Sequence, residues 1–286
     1  MNEPVKRVGM ILKRRDPRVS DVAADVIPWL VARGVEVVLD QAPGLPGPVP
    51  ATIVSPQELV SRVDVVVVFG GDGTLLYAAR LVAASGVPIL GINLGSLGFL
   101  TEVKPEEMHS ALEVLLAGEY QLEDRMLLEV EVSKNGQTPT RYLALNDAVI
   151  NKGALSRIVE IEVSVNSQLV LVTRADGLII STPTGSTGYS LSAGGPILYP
   201  TLTAFIITPI CPHTLSNRPV VVPDGAVVGV RLRHGTEVML TLDGQVGMSL
   251  DQGDCLRVAR ASSVIRLVRA KGSPFFKLLR EKLKWG

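Results

Sequence analysis

Four stretches of this 286-residue chain hold residue types whose spacing could do chemistry. In Gly70-Gly71-Asp72-Gly73-Thr74 an apolar run (65–69) gives way to a helix-like pattern (75–81), so the glycines form a strand-to-helix turn. Three glycines in four residues allow backbone conformations closed to other residues and let another molecule approach closely. Asp72 is the one side chain there with a reactive group. A carboxylate can accept a proton or orient a hydroxyl, and it can also bind a metal. Successive N–H groups from Gly70, Gly71 and Gly73, with the positive end of a helix starting near Thr74, suit a phosphate. Read alone, the stretch is equally a tight turn with an acid in it.

The second stretch, Leu145-Asn146-Asp147-Ala148-Val149, sets two polar residues inside an apolar strand, where they point to opposite faces. One of them then faces a core unless a ligand or partner satisfies it; a bulge or strand end is the other reading. The third, residues 176–192, opens from a strand into a loop dense in hydroxyls and glycines, with Tyr189 its one aromatic. Backbone N–H groups, side-chain donors and a stacking ring suit a nucleotide, although Asp176-Gly177 by itself could be a hairpin turn. The fourth, Leu242-Asp243-Gly244-Gln245, reads first as a turn between two strands.

Other chemistries are poorly represented. The chain has no GxxxxGK[ST] phosphate loop and no GxGxxG dinucleotide fingerprint. Its three histidines, His109, His213 and His234, lie far apart, which argues against a histidine metal site or a Ser-His-Asp triad. His109 reads as a solvated helix position. A formal net charge of zero argues against a dedicated nucleic-acid binder. Cys211 and Cys255 form neither a zinc pattern nor a disulfide framework and are expected to be reduced and buried. No apolar signal region opens the chain, and no run approaches the ~20 apolar residues that span a membrane. A cytoplasmic location is expected.

These residues need elements to position them. Residues 7–12, 35–39, 65–69 and 89–93 read as strands, alternating with helices over 20–31, 75–84 and 105–117. Ser20 is a candidate cap for the first helix, and Pro28 should kink it or end it early. Strand–helix alternation predicts an α/β domain with a parallel, doubly wound sheet. Past Gly118 the pattern changes to period-two alternation, as in Leu128, Val130, Val132 and in Val159, Ile161, Val163, Val165. Asn135-Gly136 is a hairpin signal into 141–145. Further strands are expected at 169–172, 178–181, 204–208, 227–232, 238–242 and 255–259, a predominantly β domain of two packed sheets, a β-sandwich. The predicted division is residues 1–120, 121–266 and 267–286, the last a strand and helix (275–283) returning to the first domain.

Taken together, these stretches resemble the NAD kinase family, the ATP- or polyphosphate-dependent enzymes that phosphorylate NAD to NADP. Residues 70–74 match its GGDGT box, and Gly91-Ile92-Asn93-Leu94-Gly95-Ser96-Leu97-Gly98-Phe99 its GxNxGxLGF stretch. Asn146-Asp147 matches the NE/D pair, residues 176–192 the long threonine- and serine-rich segment, and residues 211–219 and 243–245 follow in the family's order. Asp147 stands where many members carry Glu, and Gly188 where many carry Ala. GGDGT alone also occurs in diacylglycerol-type lipid kinases, so a lipid kinase is one alternative and a non-catalytic NAD-sensing relative another.

The resemblance implies residue roles. Asp72 is the base, or the hydrogen-bond acceptor, for the 2′-hydroxyl of the adenosine ribose, with Gly73 beside it at the nucleotide. Asn146 and Asp147 hold the ribose hydroxyls. Thr184 and Thr187 contact the adenine and ribose region. Gly188, Tyr189, Ser190, Leu191 and Ser192 continue the NAD pocket, Gln245 completes it, and Asp176 binds the nicotinamide end. Arg157 and Arg174 sit at positions associated with the nucleotide, and each could equally be a solvated strand charge. A divalent cation, Mg²⁺, is implied through the donor phosphates, with no side-chain metal ligands. The family often borrows residues across a subunit interface, so a homodimer or homotetramer is expected.

Overall fold

The computed structural model describes residues 4–40, 49–134, 137–153, 158–214, 216–269 and 275–285. The Asn135-Gly136 turn and Arg157 lie outside these residues, as does most of the proline-rich stretch after Asp40. The chain divides into two compact units, Met1–Asp124 with Ile265–Gly286, and Arg125–Val264.

The first unit is α/β. Its elements run β1 (Arg7–Leu12), α1 (Arg18–Val31), β2 (Glu36–Asp40), β3 (Thr52–Val54), α2 (Pro56–Arg62), β4 (Val65–Gly70), α3 (Asp72–Val82), β5 (Ile89–Asn93) and α4 (Met108–Leu116). The strands are parallel in the order β5-β4-β1-β2-β3. Val65 to Phe69 are all buried, as a central parallel strand covered on both faces requires. Val65, Val67 and Phe69 share one core with Val26, Ile27 and Leu30 of α1 and Leu112 and Leu115 of α4. On the other face α2 comes so close that a Cβ on Gly9 would lie 2.8 Å from Leu59. Among the described residues no helix is long and apolar enough to cross a membrane.

Several local expectations are corrected here. Pro17, not Ser20, occupies the N-cap of α1 and makes no side-chain cap bond; Pro28 falls in the last turn and the helix runs on to Val31. Little is lost by this, because only one N–H is missing and the Pro28 carbonyl still accepts from Ala32. Helix α2 was not expected, although Ser55 and Glu58 form a reciprocal capping box at its start. Helix α3 begins at Asp72 rather than Thr74. His109 is half-exposed rather than fully solvated: its Nε2 is 2.8 Å from Asp25 and its ring packs on Trp29. Nor are the cysteines buried. Cys211 is exposed and Cys255 half-buried, both as free thiols.

The second unit is a β-sandwich. Its strands are β6 (Gln121–Ser133, which begins in the first unit), β7 (Thr140–Ala144), β8 (Asp147–Asn151), β9 (Val159–Val165), β10 (Gln168–Ala175), β11 (Gly177–Ser181), β12 (Ala204–Ile210), β13 (Val220–Pro223), β14 (Val228–His234), β15 (Val238–Leu242), β16 (Val246–Leu250) and β17 (Cys255–Arg269). One sheet is antiparallel in the order β13-β12-β11-β8-β15-β16, and β10-β9-β14-β17 form part of the other. Ala148, Ile150, Leu178, Ile180 and Leu240 from the first meet Val159, Ile161, Val163, Val228 and Val258 from the second. Strands β8 and β11 are buried on their outer face too, where Val149, Ile179 and Ile210 pack with Ala193, beyond the short helix α5 (Tyr189–Ser192). β17 is ten residues longer than the five expected; its last residues belong to the first unit, where Leu267 pairs with Ile89, and α6 (Phe275–Leu283) follows.

Candidate active site

In the α/β unit, Asp72 is the first residue of α3, yet its carboxylate turns away from its own helix. Oδ2 accepts from the Phe99 N–H at 2.8 Å. Oδ1 accepts from the N–H groups of Leu100 and Thr101, both at 3.0 Å, and from the Thr101 hydroxyl at 3.1 Å. A carboxylate offers about four acceptor positions, and these donors leave capacity on Oδ2. A Cβ on Gly98 would lie 2.0 Å from Asp72 Oδ1, so glycine there is a condition of the clamp. The loop is braced from behind by buried Arg269, which ion-pairs with Glu102 at 2.8 Å and donates to the Leu100 carbonyl.

The glycines of residues 70–73 serve by closeness rather than by unusual backbone. None of the three has positive φ. A Cβ on Gly70 would sit 2.4 Å from the Thr74 hydroxyl and 3.1 Å from the Lys13 Cβ, whereas one on Gly71 would meet nothing within 4 Å. Gly71 is the N-cap of α3, and its carbonyl accepts from Thr74 and Leu75. The turn therefore presents the head of an 11-residue helix, with open space over Gly71.

In the β unit the strand expected through Asn146-Asp147 is interrupted: β7 ends at Ala144 and β8 starts at Asp147. The break is held by Asp243, whose carboxylate accepts from the N–H groups of Leu145 (3.0 Å), Asn146 (2.7 Å) and Asp147 (3.2 Å). The Asn146 carbonyl accepts from Thr182 N–H at 2.9 Å, and the Leu145 carbonyl from the Thr182 hydroxyl at 2.6 Å. Asn146 Oδ1 is buried with no hydrogen-bond partner. An orphaned buried acceptor costs stability, so it marks a place that a ligand hydroxyl could satisfy. Asp147 is 6% exposed; burial first, and the Asp243 charge second, push its carboxyl up to about 7.

The threonine- and serine-rich segment closes over this break. A Cβ on Gly185 would lie 2.2 Å from the Asn146 carbonyl, so only glycine fits. Thr184 is buried and its hydroxyl accepts from Arg125 at 3.3 Å. Ser190 is buried with its hydroxyl 3.0 Å from that of Thr208. These two hydroxyls face inward. Gly188, Tyr189 (42% exposed) and Ser192 face out, and Thr187 and Leu191 are half-buried. Gln245 lies exposed in the turn that carries Asp243, a turn with positive φ at Asp243 and Gly244.

Arg174 and Asp176 are not part of this cluster. Ser181 pairs with Asp147 at one end of β11, whereas Gly177 pairs with Asn151 at the other. At about 3.3 Å per residue that places Asp176 roughly 17 Å from Ser181 along the strand. Asp176 is no hairpin turn, because β10 and β11 belong to different sheets; Lys152 lies 3.6 Å from its carboxylate. Arg174 is exposed on β10. Sequence reasoning assigned no role to Gly98, Thr101, Asn93, Arg125 or the Asp243 carboxylate. For Gly98, Thr101 and Asn93 the signal was the matched stretch itself and the residues just after it.

Among the described residues no group of three His, Cys, Asp or Glu side chains could hold a metal ion.

Comparison with known proteins finds relatives along the whole chain. The model of the ATP-NAD kinase N-terminal domain matches residues 51–120, and that of the ATP-NAD kinase C-terminal domain residues 145–270. An NAD kinase of Geobacter sulfurreducens is 49% identical over 285 residues, covering 99% of both chains. One from Moorella thermoacetica is 47% identical, covering 99% of this chain and 90% of its own. Among solved structures, yeast NADH kinase complexed with NADH superposes with a TM-score of 0.92 at 27% identity, over 99% of this chain and 89% of that one. An NAD kinase from Archaeoglobus fulgidus in complex with ATP gives 0.76 at 27% identity, over 97% and 98%. The chain belongs to the NAD kinase family.

Proposed function

We propose that Asp72 receives the 2′-hydroxyl of the adenosine ribose of NAD as a phosphoryl group is transferred to it from ATP or another phosphate donor. The product is NADP, and the chain is an NAD kinase. The observation that carries the role of Asp72 is its fixed carboxylate at the head of α3, with acceptor capacity left on Oδ2. Phosphoryl transfer passes through a loose transition state in which the protein mainly positions groups and stabilises charge. A carboxylate held by four donors suits alignment of the hydroxyl more than early proton removal. The head of α3 and the N–H groups about Gly73 favour the donor phosphates. A divalent cation, Mg²⁺, carried on the donor phosphates as part of that substrate would supply neutralisation of their charge.

Asn146 and Asp147 hold the ribose hydroxyls, with Asn146 Oδ1 as the waiting acceptor. Gly188, Tyr189, Leu191 and Ser192 line the NAD pocket from outside, with Tyr189 as a stacking face. Thr184 and Ser190 support it from beneath, Thr187 stands between, and Gln245 flanks it. Arg174 and Asp176, at the far end of β11, take the pyrophosphate and nicotinamide end, together with Arg157, in a homodimer or homotetramer working in the cytoplasm. The test is NADP formation from NAD with ATP or polyphosphate, for the parent and for Asp72→Asn. Turnover lost with NAD affinity kept within a few-fold is expected. Unchanged turnover removes Asp72 from its role.

A further inference from the structure

We propose that Thr101 is a positioning residue that acts through Asp72, with Asn93 dictating where its hydroxyl proton points. The inference rests on the reading of Asp72 given above and concerns which of its two oxygens meets the acceptor hydroxyl. Thr101 is fully buried, and Asn93 is 2% exposed. Asn93 Oδ1 accepts from the Gly95 N–H at 2.6 Å, and a backbone N–H can only donate. That bond fixes the orientation of the amide and leaves Nδ2 as the donor facing Thr101 Oγ1 at 2.7 Å. Nδ2 also donates to the Ser96 carbonyl at 2.9 Å. With Oγ1 accepting from Asn93, the one proton of Thr101 goes to Asp72 Oδ1, 3.1 Å away. The chain Asn93→Thr101→Asp72 therefore runs in one direction.

The two carboxylate oxygens end up unequal. Oδ1 accepts from Leu100 N–H, Thr101 N–H and Thr101 Oγ1, and Oδ2 from Phe99 N–H. Oδ2, with one donor against three, is the oxygen with acceptor capacity for a hydroxyl, and Thr101 holds the carboxylate plane that sets this difference. Thr101 lies close against the backbone of β5: a Cβ on Gly91 would lie 3.0 Å from its methyl and 3.1 Å from its Cα.

The test is steady-state kinetics of Thr101→Val, Thr101→Ser and Asp72→Asn in the full-length protein, with thermal unfolding of each. Thr101→Val keeps shape and loses the donor. Its kcat is expected to fall about 10- to 100-fold, the range for a lost positioning contact, with KM for NAD and for ATP unchanged within about twofold by the same argument. Thr101→Ser, which keeps the hydroxyl, should restore kcat to within about threefold of the parent. Equal kcat for Thr101→Val and the parent overturns the inference, as does a Ser variant as slow as Val. Should Thr101→Val fold poorly, Asn93→Asp is the second probe. It can still accept from Gly95 but turns the hydroxyl proton toward itself, and the same kcat loss with Thr101 intact is expected; no loss overturns the inference. Turnover retained in Asp72→Asn means instead that the reading of Asp72 has failed.

Discussion

Asp72 and Asp243 each accept three backbone N–H bonds from one short loop, Asp72 from residues 99–101 and Asp243 from residues 145–147. The hydrogen-bond patterns match, and the uses are opposite. Asp72 is half-buried at a helix head, and the loop holds it in place for something else to meet. Asp243 is sealed in a hairpin turn and is itself the holder; the groups with acceptor capacity to spare, Asn146 and Asp147, ride on the loop it grips. In one unit the carboxylate is presented, and in the other it is the fastening. Exposure and the cargo of the loop tell them apart, not the bonds.

The largest separation between the two should come from removing each carboxylate. For Asp72→Asn the carboxamide keeps Oδ1 facing its three donors and sets an NH₂ against Phe99 N–H. Turnover is expected to fall at least about 100-fold, the lower range for a lost acid–base or acceptor group, with a small change in melting temperature. Asp243→Ala leaves three N–H groups in a buried setting without partners. A loss of about 3–5 kcal/mol is expected from unsatisfied buried donors, with a higher KM for NAD and less effect on kcat at saturation. Urea unfolding and steady-state kinetics on both variants check this. If Asp243→Ala is as stable as the parent, Asp243 is no fastening and the comparison breaks.

Much of this was legible in the sequence, and the failures have physical causes. Apolar β-branched runs and clean alternation marked the strands of residues 65–70, 89–93, 159–165 and 238–242, because burial on one or both faces leaves a local pattern. The strands missed within the β unit, β13 and β16, are edge strands, short and half-exposed, where little burial is needed. Strand β3 and helix α2 were missed for brevity, although Ser55-Pro56-Gln57-Glu58 carried a cap signal. At the site, Asp72 stood out because glycines flank it. Asp243 read as a turn, and it is one. Its second task binds residues 96 to 98 positions away, and a bond of that span leaves no local signature.

Asp147 offers a way to sharpen the contrast by pH. Its carboxyl titrates near 7 in the fold and near ~3.9 in the unfolded chain. Between those values the folded protein holds a proton that the unfolded chain has released. Its contribution to stability is therefore full below about pH 4, declines as pH rises toward 7 and is constant above that. Three pH units correspond to roughly 4 kcal/mol as an upper bound. Unfolding free energies measured at pH 5 and pH 8 should differ by less in Asp147→Asn than in the parent. An equal difference in both would place the pH dependence elsewhere.

Gly188 tests the fastened loop at its mildest. A Cβ there would lie 3.2 Å from the Gly185 carbonyl and 4.0 Å from Asn146 Nδ2, and the φ of −94° is not in the left-handed region. A shift of a few tenths of an ångström relieves the first contact, so Gly188→Ala should change stability by no more than about 0.5 kcal/mol, as for an ordinary surface substitution. Gly185→Ala, three residues earlier, drives a methyl to 2.2 Å from the Asn146 carbonyl, which Thr182 and Ser181 also hold. Its cost is expected in the range of about 1–3 kcal/mol for overpacking, with a raised KM for NAD because Asn146 moves. Melting temperatures of the two alanine variants decide it. If they are equal, Gly185 is not needed for the close approach.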